Sequence, residues 1–274
     1  MLISFAPILV RSSGVPPTAS AFYRMLYGGV FLLIVGVFSK ARLFPQKRIL
    51  VGLVLAGLVF SFDLFFWHRS IYLVGPGLAT LLAGFQVFVL AIAGIVFFGE
   101  RFRWQLAVAI PMAFIGVALI VGIDWSGLDS GYRTGVLFGL TTAVCYSTYL
   151  LTMRWIRSNS DQRASALVDV AWMSLACAAF LAVIASYTNE SLAIPNQREA
   201  LILVGYAAVA QIGWVAIASS LQRAPASLVG LILLLEPTFA YVWDIVFFAR
   251  PVTRFEIFGA FVALAAIYLG SRRT

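Results

Sequence analysis

The chain has 274 residues, of which 62% are hydrophobic and only 11% charged, with a mean hydropathy of +0.98 and a formal net charge of +8. Soluble domains carry about a quarter charged residues, so this composition excludes an ordinary water-soluble globule and fits a chain dissolved in lipid. The positive charge forms no basic stripe alternating with polar surface, which excludes nucleic-acid binding as its reason.

A helix that crosses a bilayer needs roughly 20 predominantly apolar residues. In chain order the expected spans are 1–12; 18–39, interrupted by Arg24; 49–71, interrupted by Asp63; and the long uncharged stretch between Arg69 and Glu100. Five-and-five symmetry then follows from Arg103 to Asp124, Arg133 to Arg154, Asp169 to Glu190, Glu199 to Arg223, 226–248 with Glu236 and Asp244, and 252–271 with Arg254 and Glu256. Continuous apolar blocks exclude a β-barrel, whose strands alternate over about 10 residues. Met1 to Val10 has no basic stretch ahead of it, which argues against a secretory signal.

Lysines and arginines in alternate connections give the orientation. One set, including Lys40, Arg42, Lys47, Arg48 and the tail Arg272 and Arg273, holds 12; the other, including Arg11, Arg69 and Arg133, holds 6. Both termini are therefore expected in the cytoplasm, in a multi-pass protein of a bacterial inner membrane. Cys145 and Cys177 lie within spans and read as small apolar residues rather than as a disulfide.

Sliding the chain on itself by 150 positions lays "GPGLATLLAGFQVFVLAIAGIVFFGERF" (75–102) over "PASLVGLILLLEPTFAYVWDIVFFARPV" (225–252), with Gln86 over Glu236. Five spans per half is an odd number, so two related halves insert with opposite orientation. The expected fold is an all-α membrane protein of ten transmembrane helices, arranged as two inverted five-helix repeats. The boundaries are 1–123, a periplasmic connection at 124–132, and 133–274. "SFAPILVR" (4–11) lies over "STYLLTMR" (147–154), which implies a first helix that lacks its opening ten or so residues.

The opening "RMLYGG" (24–29), "FFGERF" (97–102) and "LLEPTFA" (234–240) resemble the EamA-type branch of the drug/metabolite transporter superfamily. Within it, the aromatic content is similar to that of YddG-type aromatic amino acid exporters. The resemblance implies a basket of ten helices, a central cavity lined mainly by the third, fourth, eighth and ninth spans, and alternating access. Two departures stand out: Ala249-Arg250 replaces the Gly99-Glu100 of the first half, and Gln86-Val87 stands where the ninth span has Glu236-Pro237.

Ionisable residues inside a membrane are costly and mark pathways or pairs. Glu236 lies near mid-span and reads either as a substrate-amine or proton site, or as a structural carboxylate bound to a neighbouring helix. Pro237 frees a backbone carbonyl beside it, a candidate gating or kink position together with Gly75 and Gly77 of the "GPG" turn. Gln86 orients a substrate or serves as interhelical glue. In the third span, four-residue spacing places Asp63 with Trp67 and His68 with Tyr72 on shared helix faces. His68, the one histidine, cannot form a multi-histidine metal site, and reads as a binding or a structural residue. In the eighth span Gln211 and Trp214 stand among small residues and, with Tyr149, complete the substrate-binding candidates; Tyr146 and Trp172 are further aromatic ones. Arg24 suits a substrate carboxylate, an ion pair with Asp63, or a snorkelling position.

No clustered nucleophile, base or metal set points to an enzyme. The expectation is a secondary transporter exporting small amphipathic metabolites, aromatic or bulky neutral amino acids first. The alternatives are an exporter of drugs or nucleobase-like metabolites, or a non-transporting scaffold or sensor. Its partners are a small-molecule substrate and the lipid bilayer; no cofactor, nucleic acid or obligatory protein partner is expected.

Overall fold

The computed structural model describes residues 2–98, 104–121, 127–159, 166–220, 235–249 and 252–271, and all regular structure among them is helical. A 3-10 turn (Leu2–Phe5) leads into α1 (Ala6–Ser12), α2 (Pro17–Phe38), α3 (Lys47–Val74), α4 (Pro76–Ala83), α5 (Gln86–Phe98) and α6 (Trp104–Val121). The chain continues through α7 (Ser130–Asn159), α8 (Ala166–Thr188), α9 (Gln197–Ser220), α10 (Leu235–Phe248) and α11 (Arg254–Ser271). Six stretches among the described residues are long and apolar enough to cross a membrane: α2, α3, α4 with α5, α6, α7 and α8. The Gly99-Glu100 pair, Arg250 and residues 221–234, which include the end of the expected eighth span and the start of the ninth, lie outside the described residues.

The fourth span differs from its expectation. It is two helices, interrupted at Gly84 and Phe85, where backbone bonds tighten to the i−3 carbonyl: Phe85 to Leu82 at 3.0 Å, Val87 to Gly84 at 3.3 Å and Phe88 to Phe85 at 3.0 Å. An uncharged run gives no sign of such a break, because composition does not change across it. The third span is also longer than expected. Its 28 residues reach about 42 Å at 1.5 Å per residue, more than a hydrocarbon core of about 30 Å, which tilting accommodates.

α2 and α8 stop in the same way. Lys40 and Asn189 take positive φ (52° and 54°), and the following amides, Ala41 and Glu190, reach back to Gly36 and Ala185 at 3.0 Å each. This is a left-handed cap closed by a six-to-one hydrogen bond, formed here without glycine.

Packing is pairwise. α3 lies along α7, α6 along α11 and α2 along α8, while α9 meets α2 and α1, and α10 meets α4. The α6–α11 seam is tight enough that a Cβ on Gly116 would come within 2.6 Å of the Ala263 amide nitrogen, so small residues are what let these helices touch. One buried cluster runs through the centre, and a second joins α5, α6 and α11. Large apolar side chains such as Phe38, Phe97, Phe255 and Phe261 face outward, as lipid contact requires. Cys145 and Cys177 are free thiols.

Candidate functional site

A cavity of about 220 Å³ opens where α2, α3, the α4–α5 break, α7, α9 and α10 converge. Its polar lining consists of Arg24, Asp63, Thr80, Gln86, Thr142, Trp214 and Glu236, and its apolar lining includes Phe60, Leu64, Trp67, Tyr146, Leu150 and Pro237. Phe60, Asp63, Leu64 and Trp67 share one face of α3 through spacings of three and four.

Arg24 is only 4% exposed. It neither snorkels nor forms an ion pair with Asp63 among the described residues. Its Nη1 donates to the Tyr206 hydroxyl at 2.9 Å, and its guanidinium sits over three rings, 5.3 Å from Tyr206 and 5.9 Å from both Phe60 and Trp67. Such cation–ring contacts strengthen when water is excluded. Tyr206 lies 3.1 Å from His68 Nε2, and His68 Nδ1 lies 2.8 Å from the Leu64 carbonyl. The bonds run one way. Arg24 can only donate and the carbonyl can only accept, so the Tyr206 O–H donates to Nε2 and the Nδ1–H of His68 donates to Leu64.

Four polar atoms in the wall have no hydrogen-bond partner among the described residues: Arg24 Nε, Asp63 Oδ1, Gln86 Oε1 and Trp214 Nε1. Two are donors and two acceptors. A buried polar group left unpaired costs roughly 1–3 kcal/mol, so these four atoms are hydrogen-bonding capacity that the described residues leave unused. The other satisfied groups show the contrast: Thr80 bonds the Pro76 carbonyl at 2.8 Å, and Thr142 approaches the Asp63 carbonyl at 3.5 Å.

Rings close one side. Phe60 lies tilted against Tyr149 with centroids 4.4 Å apart, and Trp214 meets Phe60, Tyr146 and Tyr149 edge-on with centroids 5.6 to 6.1 Å apart. Tyr149 is therefore a backing ring, behind the lining rather than in it.

Of the residues singled out in the sequence, Arg24, Asp63, Trp67, Gln86, Trp214, Glu236 and Pro237 line the cavity, and His68, Tyr72, Tyr149, Gln211, Gly75 and Gly77 do not. His68 is fully buried and engaged at both ring nitrogens. Gln211 bonds Ser174 at 3.3 Å and presses on Gly28 at the α2–α8–α9 seam. Gly75, at φ 90°, turns α3 directly into α4, and the Gly77 amide donates to Asp244 Oδ2 at 3.1 Å, so this pair is a capped corner held by α10. Trp172 ties the Leu43 carbonyl at 2.8 Å, fixing the loop after α2.

Tyr72 belongs to a polar cluster at the end where α1 meets α2. Its hydroxyl lies 3.0 Å from the Val10 carbonyl and 3.3 Å from Ser13 Oγ, while Arg11 donates to its backbone oxygen at 3.0 Å. Beside it, Arg69 forms an ion pair with Glu190 and bonds Thr18 Oγ1 at 3.2 Å. Glu190 accepts from the Thr18 amide at 3.0 Å, and Glu199 from the Gly14 amide at 2.7 Å.

Sequence reasoning missed Phe60, Thr142 and Tyr206. Extending the Asp63–Trp67 face by one turn reaches Phe60, but no spacing connects Tyr206 on α9 with His68 on α3.

No curated protein matches the chain. A solved crystal structure of a protein shares its fold with a TM-score of 0.65 and 22% identity, covering 98% of this chain and 91% of that one. The sequence pattern of the EamA-like transporter family matches residues 2–122 and 133–272. With both stretches matched, the chain belongs to the EamA-like transporter family, within the drug/metabolite transporter superfamily.

Proposed function

We propose that the protein is a secondary transporter of a bacterial inner membrane, with both termini cytoplasmic, that exports aromatic or bulky neutral amino acids by alternating access through this cavity. The observation that carries the reading is the pairing, within one ring-walled hollow, of unpartnered donors on Arg24 and Trp214 with unpartnered acceptors on Asp63 and Gln86. A free amino acid carries one group for each. Its carboxylate suits Arg24 Nε and the indole N–H; its ammonium suits Asp63, the Gln86 oxygen and Glu236. A ring between Phe60, Tyr146, Trp67 and Trp214 gains about 0.5–1.5 kcal/mol per aromatic pair beyond area burial. The volume of about 220 Å³ lies below the roughly 300–1,000 Å³ of drug-sized sites, which favours a small guest.

Two oppositely inserted five-helix halves, 1–123 and 133–274, supply the moving parts. Supporting this are the 150-position register of the sequence on itself, the matching caps of α2 and α8, and the family's two stretches of similarity. Discontinuous helices at a repeat interface are a common way to build a midplane site, and the α4–α5 break next to Gln86 fits that pattern. Lys and Arg are concentrated in the connections assigned to the cytoplasm. Transport runs down the cargo's own gradient or with protons, for which Asp63 and Glu236 are the candidate carriers.

The test is flux in proteoliposomes against a panel of amino acids, with and without an imposed pH gradient. Saturable flux that prefers phenylalanine, tryptophan and leucine over glycine and glutamate is expected. Flux that never saturates indicates a channel, absence of flux indicates a scaffold, and equal rates across the panel remove the cargo assignment.

A further inference from the structure

Arg24 of the cavity wall is tied through Tyr206 to His68 and on to the Leu64 carbonyl, and neither Tyr206 nor His68, which lie behind the lining, has a part in the transport reading so far. Three helices contribute to this relay: Arg24 from α2, Tyr206 from α9 and His68 from α3. Tyr206 and His68 are both fully buried. Every bond in it has one direction only, and its last acceptor is a carbonyl within α3 itself.

An arginine head has five N–H donors spread in a plane, and a long stem that leaves its position soft. The phenol takes one Nη1 hydrogen at 2.9 Å and three rings hold the faces of the guanidinium. What remains without a partner is Nε, enclosed beside the cavity that Arg24 lines. A carboxylate prefers a fixed fork to a swinging one, because less side-chain freedom is lost on binding. The hydroxyl of Tyr206 is the one polar anchor Arg24 has among the described residues, and His68 Nε2 sets the direction of that hydroxyl's hydrogen. If the hydroxyl donated elsewhere, its lone pair would rotate away from Arg24.

We propose that Tyr206 and His68 are positioning residues that hold Arg24 as the receptor for the substrate carboxylate, and so make the protein select amino acids over the corresponding amines. This rests on the transport reading above and adds to it the polar end by which the cargo is chosen.

The probes are L-phenylalanine and phenethylamine, which share ring and amine and differ by the carboxylate. Wild-type protein in liposomes is expected to take up labelled phenylalanine and to resist competition by phenethylamine at concentrations where phenylalanine competes fully. Tyr206→Phe and His68→Leu should raise KM for phenylalanine about tenfold, the size of one hydrogen bond to a charged group, with the maximal rate within about twofold. Both should narrow the preference over phenethylamine. His68→Gln, whose amide oxygen can accept the phenol hydrogen, should restore most of it. Melting curves in detergent identify any variant that has lost its fold, and His68→Gln then decides alone. An unchanged preference in Tyr206→Phe overturns the inference and leaves the transport reading standing, as does an equal loss for both compounds. A wild-type protein that carries neither compound removes the transport reading and this inference together.

Discussion

Two buried polar regions of this molecule are built from the same residue types and end in opposite states. At the α1–α2 end, Arg69, Glu190, Thr18, Glu199 and Tyr72 bond to one another and to backbone amides and carbonyls. In the cavity wall Arg24, Asp63, Gln86 and Trp214 each keep an atom without a partner. Burial alone therefore does not mark function; incomplete pairing around an empty space does. The first cluster is closed upon itself and serves as a clasp between α2, α3 and the α8–α9 connection. The second leaves donors and acceptors unpaired beside a cavity, and in the proposed function the guest supplies their partners.

That contrast predicts which substitutions move transport and which move stability. The largest effect is expected from Arg24→Met, which removes the proposed carboxylate receptor but keeps a long apolar stem. Uptake of phenylalanine should fall about a hundredfold in efficiency, as for one partner lost from a buried charge pair, while membrane insertion persists. Next comes Asp63→Asn, measured with phenylalanine and with N-acetylphenylalanine, which has no free amine. KM for the first should rise about tenfold, and the second should not respond, since a charged hydrogen bond is the difference. An equal effect on both would place Asp63 away from the amine.

In the clasp the order reverses. Glu190→Gln leaves Arg69 without its counter-charge in a partly buried place. A loss of about 1–2 kcal/mol is expected, read as a melting temperature roughly 3–6 °C lower, with uptake within about threefold of wild type. A transport defect larger than the stability defect would mean that the clasp belongs to the cycle itself. The smallest effect is expected from Tyr72→Phe, a loss of about 1 kcal/mol from its hydroxyl's bonds with no change in KM.

The helices were legible because runs of about 20 uncharged residues leave few other choices in lipid. The Asp63–Trp67 face was legible too, because helical spacing is written in the sequence. The depth of Arg24 was not: two turns from the start of α2 looks close to a surface, yet neighbouring helices cover it with three rings. His68 and Tyr206 were opaque for another reason. Their partnership joins α3 to α9 across 138 positions, and no local pattern encodes a contact between distant helices. The α4–α5 break escaped because glycine and leucine read as equally apolar, while the change lies in which carbonyl each amide chooses.

A rod spliced at its middle has two levers instead of one. α4 answers to α10 through the Gly77–Asp244 bond, and α5 meets α7 where the Ser147 hydroxyl, shared with the Ala143 carbonyl at 2.7 Å, lies 3.1 Å from the Gln86 carbonyl. The break at Gly84 and Phe85, where backbone bonds reach only three residues back, lies between these two attachments, and Gln86 of the cavity wall is the first residue beyond it. A shift of α10 against α7 is expected to bend the span there and to carry the Gln86 amide with it.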